Sequence, residues 1–524
     1  MSAFVCAVDV GTGSARAGIL DRQGKLLARA THPILISRPK RDFAEHDSED
    51  IWRAICAAVQ EACRKAAIDA RDVRGIGFDA TCSLVVRDKE GAPLPLSPSN
   101  ENCWDTIAWL DHRALAEADE CTHSGHAVLD TAGGVMSPEM QVPKLMWLKR
   151  NLPHLWKNAG YFFDLTDFLS WKASGSPTRS QCTLACKWTY LAHGDGWRQD
   201  FFARMGVPDL IDRGRLLAHP SPPGGFVGTL LPEAAQALGL SAECRVGAGL
   251  IDAYAGMLGA LAGLAQDGPE RHAALIAGTS SCLMTISREP RRFPGVWGPY
   301  LGAVLPGWWV SEGGQSATGA LLDHVIRWHG AGGEPDRAMH ERIAGRIGEL
   351  RAEEGNGFAS RLHVLPDFHG NRSPLADPHA LGVISGLALD SSFDSLCRLY
   401  WRTAIAIALG VRHILDAQRE GGYPTDMLHV TGGHARNPLL MQLYADATGC
   451  IVVEPVVEDA MLLGTGMVAA TAARLYPDLA SAAAGMGQKG RELRPDPQKR
   501  PAFDRDYRIF LEMQRQRQAL DRME

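Results

Sequence analysis

Two glycine-rich turns place the same chemical groups in each half of the chain. They lie in residues 8–14 (VDVGTGS) and residues 275–281 (LIAGTSS). The residues of interest are Gly11, Thr12 and Gly13 in the first turn and Gly278 and Thr279 in the second. Each turn separates two apolar runs, which predicts a β-hairpin whose backbone N–H groups and hydroxyls surround a concavity able to hold a phosphate. Two copies indicate a duplicated nucleotide-binding fold.

Two charged residues flank the first turn. Asp9 ends a predicted buried strand, where a carboxylate can contact a magnesium ion bound to phosphates. Arg16 would bring positive charge to a phosphoryl group in transfer. A strand-end aspartate beside a glycine turn is equally well a plain structural feature. The turn lacks the third glycine and the helix start of a dinucleotide fingerprint, and the chain contains no P-loop motif.

A third acidic residue, Asp252, lies where a strand and turn lead into a predicted helix. The positive end of the helix dipole would keep its carboxylate ionised. An ionised carboxylate could accept the proton of a hydroxyl group as that hydroxyl attacks phosphorus. The alternative role is a helix N-cap.

The elements that position these residues follow an α/β plan. Residues 4–36 predict successive strands, a helix follows Asp47, and a buried strand ends at Asp79. This order indicates an α/β domain with a mixed sheet. Residues 100–240 are irregular in pattern and predict an insertion.

The same plan restarts near residue 270 and continues to the late helix. It predicts the second hairpin, helices over 316–328 and 396–418, a strand over 427–430 that runs into a turn at 431–437, a strand over 451–453 and a helix over 459–475. The predicted domains are residues 1–265 and 266–485. A charged tail, 486–524, carries a predicted surface helix over 509–520.

Composition excludes several classes of function. The chain has 524 residues, 45% hydrophobic and 22% charged, with a formal net charge of −6. These values predict two large soluble domains and argue against nucleic acid or membrane as a partner. No secretory signal is recognisable, and the 12 cysteines have no zinc-site spacing. We expect reduced thiols and a cytoplasmic protein.

Taken in order, the motifs resemble those of the FGGY carbohydrate kinases. The resemblance covers nearly the whole chain, including residues 249–256 (GLIDAYAG) and 463–466 (LGTG). It implies two ribonuclease H-like domains, as in actin and Hsp70, with a cleft between them. It implies that Asp252 is the catalytic base and that both hairpins hold phosphates. It also implies that Gly432, Gly433 and Asn437 lie beside the adenosine and α-phosphate of ATP.

Within that family the pentulose kinases, and the ribulokinases in particular, are most similar. The matching segments are 109–114 (WLDHRA), 182–187 (CTLACK) and 311–316 (SEGGQS). They imply a sugar pocket made of Trp109, Lys187, Asp252 and Glu312. An aromatic wall suits the C–H faces of a polyol, and charged side chains suit its hydroxyls. Taken singly, Trp109 could be a core residue, Lys187 an ion-pair partner and Glu312 a turn residue.

Residues 79–84 (DATCSL) narrow the choice among possible substrates and add Ser83 to the predicted sugar pocket. The segment is more similar to D-ribulokinases than to L-ribulokinases, which carry glycine at the position of Cys82. Ser83 could equally satisfy backbone groups. The segment 367–374 also keeps a ribulokinase-like form, although no role for it follows from the sequence.

The resemblance therefore implies ATP- and Mg²⁺-dependent phosphorylation of a ketopentose at its terminal O5 hydroxyl, with D-ribulose as the first choice. L-Ribulose, xylulose and ribitol remain alternatives. A different class, a nucleotide switch like actin or Hsp70, is disfavoured by the predicted sugar pocket. A sugar-sensing transcription regulator is disfavoured because no added DNA-binding segment or basic face is present. The sequence leaves open whether the protein forms a homodimer.

Overall fold

The computed structural model describes residues 3–96, 104–216, 219–262, 268–456 and 459–523. Its strands are β1 (Phe4–Val10), β2 (Ser14–Leu20), β3 (Leu26–Pro33), β4 (Glu45–His46), β5 (Val73–Ala80), β6 (Leu84–Asp88), β7 (Thr106–Ile107), β8 (Ala159–Asp164), β9 (Phe226–Thr229), β10 (Arg245–Gly247), β11 (Leu250–Ile251), β12 (His272–Ala277), β13 (Ser281–Ser287), β14 (Trp297–Leu301), β15 (Trp309–Gln315), β16 (His363–Leu365), β17 (Val383–Ser385), β18 (Met427–Thr431), β19 (Ile451–Glu454) and β20 (Arg491–Leu493).

The α-helices alternate with these strands along the chain. They are α1 (Ser48–Ala66), α2 (Leu115–His123), α3 (Gln141–Asn151), α4 (Pro153–Asn158), α5 (Leu165–Ser174), α6 (Gln181–Lys187), α7 (Gln199–Arg204), α8 (Leu210–Gly214), α9 (Pro232–Leu238), α10 (Asp252–Ala260), α11 (Gly319–Trp328), α12 (Arg337–Glu354), α13 (Phe393–Glu420), α14 (Pro438–Thr448), α15 (Ala460–Ala472), α16 (Leu479–Met486) and α17 (Arg500–Asp521).

Two seven-stranded mixed sheets repeat the same core topology. Sheet 1 has the order β3-β2-β1-β5-β10-β9, with β11 also paired to β5, and sheet 2 has the order β14-β15-β13-β12-β18-β19-β20. In each sheet an antiparallel hairpin, β1–β2 or β12–β13, is followed by a parallel strand, β5 or β18. The predicted duplication of the hairpins and the mixed α/β fold are confirmed.

The pattern of residues 100–240 suggested irregular structure, and that expectation is wrong, whereas the insertion stays a prediction. This region contains helices α2 to α9, and α3, α5 and α6 are buried over most of their residues. Short helices that are covered on most sides carry no amphipathic stripe, so their sequences lack the 3.6-residue period on which the prediction depended. The helices pack into the first half of the molecule and carry part of the site.

Helices α10 and α15 form the layer between the two sheets. α15 comes from the second half of the sequence but packs on β1, β5 and β10 of sheet 1, while α10 packs against β12. The two helices approach each other through glycines. A Cβ atom on Gly464 would lie 2.1 Å from the carbonyl oxygen of Ala255, and one on Gly259 would lie 2.0 Å from that of Ala460. No side chain fits at either crossing point.

The C-terminal helix is longer and less exposed than predicted. α17 begins at Arg500, nine residues before the predicted start, and buries Phe503, Tyr507, Phe510 and Met513 in the core of the second half. Its opposite face is exposed, so "surface helix" describes only half of it.

The predicted domain boundary at 265/266 lies outside the described residues, and the domain division stays a prediction. The cysteines among the described residues are all unpaired, in agreement with the expected reduced thiols. In the described part of the chain no helix has the length and apolar character needed to cross a membrane.

The glycine contact between α10 and α15 can be tested by adding one methyl group. We expect Gly464→Ala to lower the free energy of unfolding by about 1 to 3 kcal/mol, because the new Cβ forces the two helices apart. Gly345→Ala is the matched control: Gly345 is exposed on α12 with open space around its Cα, so this change should stabilise by about 0.5 to 1 kcal/mol. Chemical denaturation measures both. Equal effects of the two variants would contradict the described packing.

Candidate active site

A cavity of about 200 Å³ lies where the two glycine turns, the start of α10 and strand β15 meet. Ten of the predicted site residues line it: Asp9, Gly11, Thr12, Arg16, Trp109, Lys187, Asp252, Gly278, Thr279 and Glu312. These residues are up to about 300 positions apart in the chain. The structure thus brings the predicted phosphate-binding and sugar-binding groups to a single cleft.

Three aspartates meet at the floor of this cleft. Asp9 and Asp79 lie opposite each other on the parallel strands β1 and β5, and Asp252 is the first residue of α10. Burial, together with the charge of Asp9, raises the pKa of Asp252 to about 7. Burial and the same neighbour raise the pKa of Asp79 well above its usual range. A raised pKa is the expected result of placing like charges together in a poorly solvated site.

The pKa of Asp252 corrects one expectation. The helix dipole was expected to keep this carboxylate ionised, and α10 does begin at Asp252, whose carboxylate accepts a hydrogen bond from the Ala253 N–H (2.7 Å). Burial and the neighbouring carboxylate outweigh the dipole. The raised pKa moves the protonation equilibrium of Asp252 toward neutral pH, as expected of a group that exchanges protons.

Arg16 is held between two carboxylates. It donates hydrogen bonds to Asp9 and, at 2.9 Å, to Asp459, the residue that caps α15. The predicted role of Arg16 as a cation for a phosphoryl group is thus shared with structural ion pairing. The ion pairs tie the first glycine turn to the beginning of α15.

The residues present fit a magnesium ion bound mainly through phosphates. Among the described residues, no three His, Cys, Asp or Glu side chains are grouped so as to hold a metal alone. Mg²⁺ commonly uses one or two carboxylates together with substrate phosphates and water. Asp9 lines the cavity and burial raises its pKa, although Arg16 opposes the rise. A divalent cation beside it would relieve the repulsion among the three aspartates.

Trp109 connects the predicted sugar-binding residues to the first predicted phosphate-binding turn. Its indole N–H donates to the hydroxyl of Thr12 (2.9 Å), and its backbone N–H donates to the hydroxyl of Ser83 (3.1 Å). Ser83 is fully buried and is absent from the wall of the cavity, whereas Thr81 and Cys82 line it. The structure therefore places Ser83 behind Trp109, as a support for that ring, and direct contact between Ser83 and a sugar stays a prediction that the geometry does not favour.

Lys187 and Glu312 form a charged part of the cavity wall. Lys187 ends α6, is 3% exposed, and has its Nζ 4.3 Å from the centre of the Trp297 ring. Burial lowers the pKa of this lysine, but neighbouring groups that include Glu312 outweigh burial and raise the pKa well above its usual range. Glu312 is fixed by the Tyr254 hydroxyl, which donates to it at 2.9 Å. The wall thus offers an ammonium donor and a carboxylate acceptor to a polyol.

The remaining predicted residues lie off the central cavity. Gly13 is exposed, and its carbonyl accepts from the Ile34 N–H (3.1 Å). Gly432 has a φ of +90°, and a Cβ there would lie 2.5 Å from the Ala277 carbonyl oxygen, next to the second glycine turn. Asn437 caps α14 by accepting from the Leu439 N–H (3.1 Å).

Gly432, Gly433 and Asn437 therefore follow β18 beside the second hairpin and are not among the residues that line the central cavity. Gly319, at the start of α11, also contacts the backbone of Gly278. Nucleotide binding by these residues stays a prediction.

Two charged cavity residues were missed by the sequence reasoning. Glu139 and Arg372 both line the cavity and form an ion pair, with Arg372 Nη2 3.1 Å from Glu139 Oε1. Arg372 lies in the 367–374 segment, whose ribulokinase-like form was the signal that could have found it. Glu139 stands in residues 137–140 (SPEM), which carry no motif.

A duplicated mixed sheet with paired glycine turns and a buried aspartate in a polar cleft defines the class of two-domain sugar kinases. The chain belongs to the FGGY family of carbohydrate kinases. The N-terminal domain signature of that family matches residues 4–259, and the C-terminal domain signature matches residues 273–473. The protein is thus a sugar phosphotransferase, and the kinases of this family use ATP.

Relatives extend over nearly the full length of the chain. An FGGY carbohydrate kinase domain-containing protein of Danio rerio is 43% identical and covers 99% of both chains. A D-ribulokinase of Saccharomyces cerevisiae is 36% identical, over 90% of this chain and 72% of the relative. The crystal structure of xylulose kinase from Rhodospirillum rubrum superposes with a TM-score of 0.77 at 23% identity, covering 97% of this chain and 98% of that one. This last likeness confirms the fold.

Proposed function

We propose that the protein phosphorylates a ketopentose at its terminal O5 hydroxyl with ATP, and that the ketopentose is D-ribulose. The D-ribulokinase of S. cerevisiae supports this choice at 36% identity, whereas a ribulokinase of Geobacillus thermodenitrificans is 28% identical. The observation that carries the proposal is the position of Asp252. It faces one cavity with both glycine turns and with the Lys187–Glu312 wall.

Asp252 is the proposed catalytic base. In its ionised form it accepts the proton of the O5 hydroxyl as that oxygen attacks the γ-phosphorus of ATP in line. The O–P bond to the sugar forms, the bond from the γ-phosphorus to the bridging oxygen of ADP breaks, and the proton stays on Asp252. Its pKa of about 7 allows the proton to return to solvent after each turnover.

The two glycine turns are the proposed phosphate sites. Gly11 and Gly278 line the cavity, and their turns offer backbone N–H groups for the negative charge that spreads over the phosphate oxygens. Asp9 would hold Mg²⁺, which when bound neutralises charge on the phosphates. Gly432, Gly433 and Asn437 would lie along the nucleotide beyond the second turn.

The proposed acceptor site is enclosed by Trp109, Lys187, Glu312 and Asp252. The indole of Trp109 packs on the C–H face of the sugar. Lys187 donates to sugar hydroxyls and Glu312 accepts from them. Because these groups are largely buried, closing the cleft excludes water, which favours transfer to the sugar over hydrolysis.

A panel of acceptors tests the proposed substrate. We expect D-ribulose to have the highest kcat/KM among D-ribulose, L-ribulose, D-xylulose, L-xylulose, ribitol and glycerol, with the product phosphate on O5 by ³¹P NMR. ATP consumption without sugar should be small, because the reaction needs a positioned hydroxyl. A large advantage for glycerol, or hydrolysis that is indifferent to sugar, would contradict the proposal.

Replacement of Asp252 tests the catalytic base. We expect Asp252→Asn to lower kcat by about 10²- to 10⁴-fold, because an amide cannot accept the proton. ADP binding, measured as a shift in Tm, should be retained. Asp195→Asn, at an exposed turn position, is the control and should leave kcat unchanged. A turnover within a few-fold of wild type for Asp252→Asn would rule out this role.

A further inference from the structure

The Glu139–Arg372 ion pair crosses the cleft. Glu139 precedes α3 in the first half of the chain, and Arg372 follows β16 in the second half. Their side chains are 12% and 7% exposed, and Arg372 Nη2 donates to Glu139 Oε1 at 3.1 Å. Arg372 Nη1 also donates to the sulfur of Cys282 (3.4 Å). The pair is a nearly buried bridge between the two halves.

The loop that carries Arg372 is built to hold its guanidinium in place. Asn371 donates to Asp367 (3.0 Å) and accepts from the Leu375 N–H (3.2 Å). Ser373 donates to the Gly295 carbonyl (2.7 Å).

The strand beside the loop leaves room for the arginine. A Cβ on Gly314 would lie 3.1 Å from Arg372 Nη1. Since ordering an arginine side chain costs conformational entropy, a site that fixes it in advance suits recognition of a ligand.

Asp252 and the ion pair both line the central cavity. The charged groups that act on Asp252 are Asp9, Lys187 and Glu312. Lys187 also acts on Glu139, and Glu312 also acts on Arg372. Lys187 and Glu312 are therefore charged neighbours of both Asp252 and the ion pair. A linear acceptor whose terminal hydroxyl meets Asp252 would extend past this wall toward Arg372.

A neighbouring cavity, of about 390 Å³, lies beside the ion pair. It is lined by residues that include Met136, Pro138, His369 and Pro378. Of the residues that the structure describes, Glu139 and Arg372 alone line both this cavity and the central one. The ion pair thus lies where the central cavity adjoins this neighbouring space.

We propose that the Glu139–Arg372 pair is the end wall of the acceptor site and determines its specificity, by recognising the C1–C2 end of the ketose and limiting its length. Arginine has five N–H donors, and the Nε atom of Arg372 is buried without a hydrogen-bond partner in the described structure. The guanidinium donates to the C2 carbonyl, and the Glu139 carboxylate accepts from the C1 hydroxyl. This inference depends on the proposed function.

The test compares sugars that differ at that end only. D-Ribulose is assayed against D-allulose, a ketose one carbon longer, and against ribitol, which carries a hydroxyl in place of the carbonyl. For the wild type we expect D-ribulose to have the highest kcat/KM. In the Glu139→Ala/Arg372→Ala double variant the KM for D-ribulose should rise about tenfold or more, and its advantage over D-allulose should fall about tenfold or more, because both contacts and the wall are removed.

Two further variants keep the test decisive. Arg372→Lys retains a positive charge beside Glu139 but not the arginine fork, and should lower the preference for D-ribulose over ribitol about threefold or more. Arg372→Lys replaces the double variant in the test if Tm and ADP binding show that the double variant does not fold. The control is Glu354→Ala/Arg398→Ala, which removes a partly exposed ion pair of 2.5 Å on α12 and α13 and should leave every ratio unchanged.

The outcomes distinguish failure of the proposed end wall from failure of the proposed substrate. Suppose that the wild type phosphorylates D-ribulose, and that Arg372→Lys and the double variant keep the wild-type ratios of kcat/KM between sugars. This result would overturn the proposal that the ion pair is the end wall. Wild-type preference for another acceptor would overturn the proposed substrate. In that case the same comparison, with that acceptor and its homologue one carbon longer, decides on the wall.

Discussion

The contact on which the rest of the structure depends is the glycine-to-backbone approach of α10 and α15. Gly464 and Gly259 let the two helices come closer than any side chain would permit. Since α15 lies on sheet 1 and α10 reaches sheet 2, this contact sets the separation of the sheets. It also fixes the start of α10, where Asp252 stands three residues before the contact at Ala255. The position of the candidate base thus follows from a packing constraint within a few residues of it.

Charge is the second constraint on the site. Asp9, Asp79, Asp252 and Asp459 lie close together, with Arg16 as the cation that bonds two of them. Bringing carboxylates together in a buried place is costly unless protons or cations compensate. The raised pKa values of Asp79 and Asp252 are the expected consequence of this cost. In the proposed reaction, the magnesium ion held by Asp9 would lower it.

The sequence allowed prediction of the features that are encoded locally. Both hairpins, the long helix α13 and the helix start at Asp252 follow from glycine turns, hydrophobic periodicity and a strand-to-helix junction. Features made by distant parts of the chain were out of reach. Glu139 is 233 positions from Arg372, and only the fold makes them partners. The short buried helices of residues 100–240 show no period, and the pKa of Asp252 depends on Asp9, which lies on another strand. The sequence also did not reveal that the Ser83 hydroxyl accepts a hydrogen bond from the backbone N–H of Trp109.

The central claim is that one cleft presents the terminal hydroxyl of a ketopentose to Asp252 and its other end to Arg372 and Glu139. The most direct measurement is a crystal structure of the protein with a non-hydrolysable ATP analogue, Mg²⁺ and D-ribulose. The account predicts O5 within hydrogen-bonding distance of Asp252, the triphosphate between the two glycine turns, and the C2 carbonyl at Arg372. A sugar bound in the opposite direction, or outside the cavity that contains Trp109 and Lys187, would contradict it.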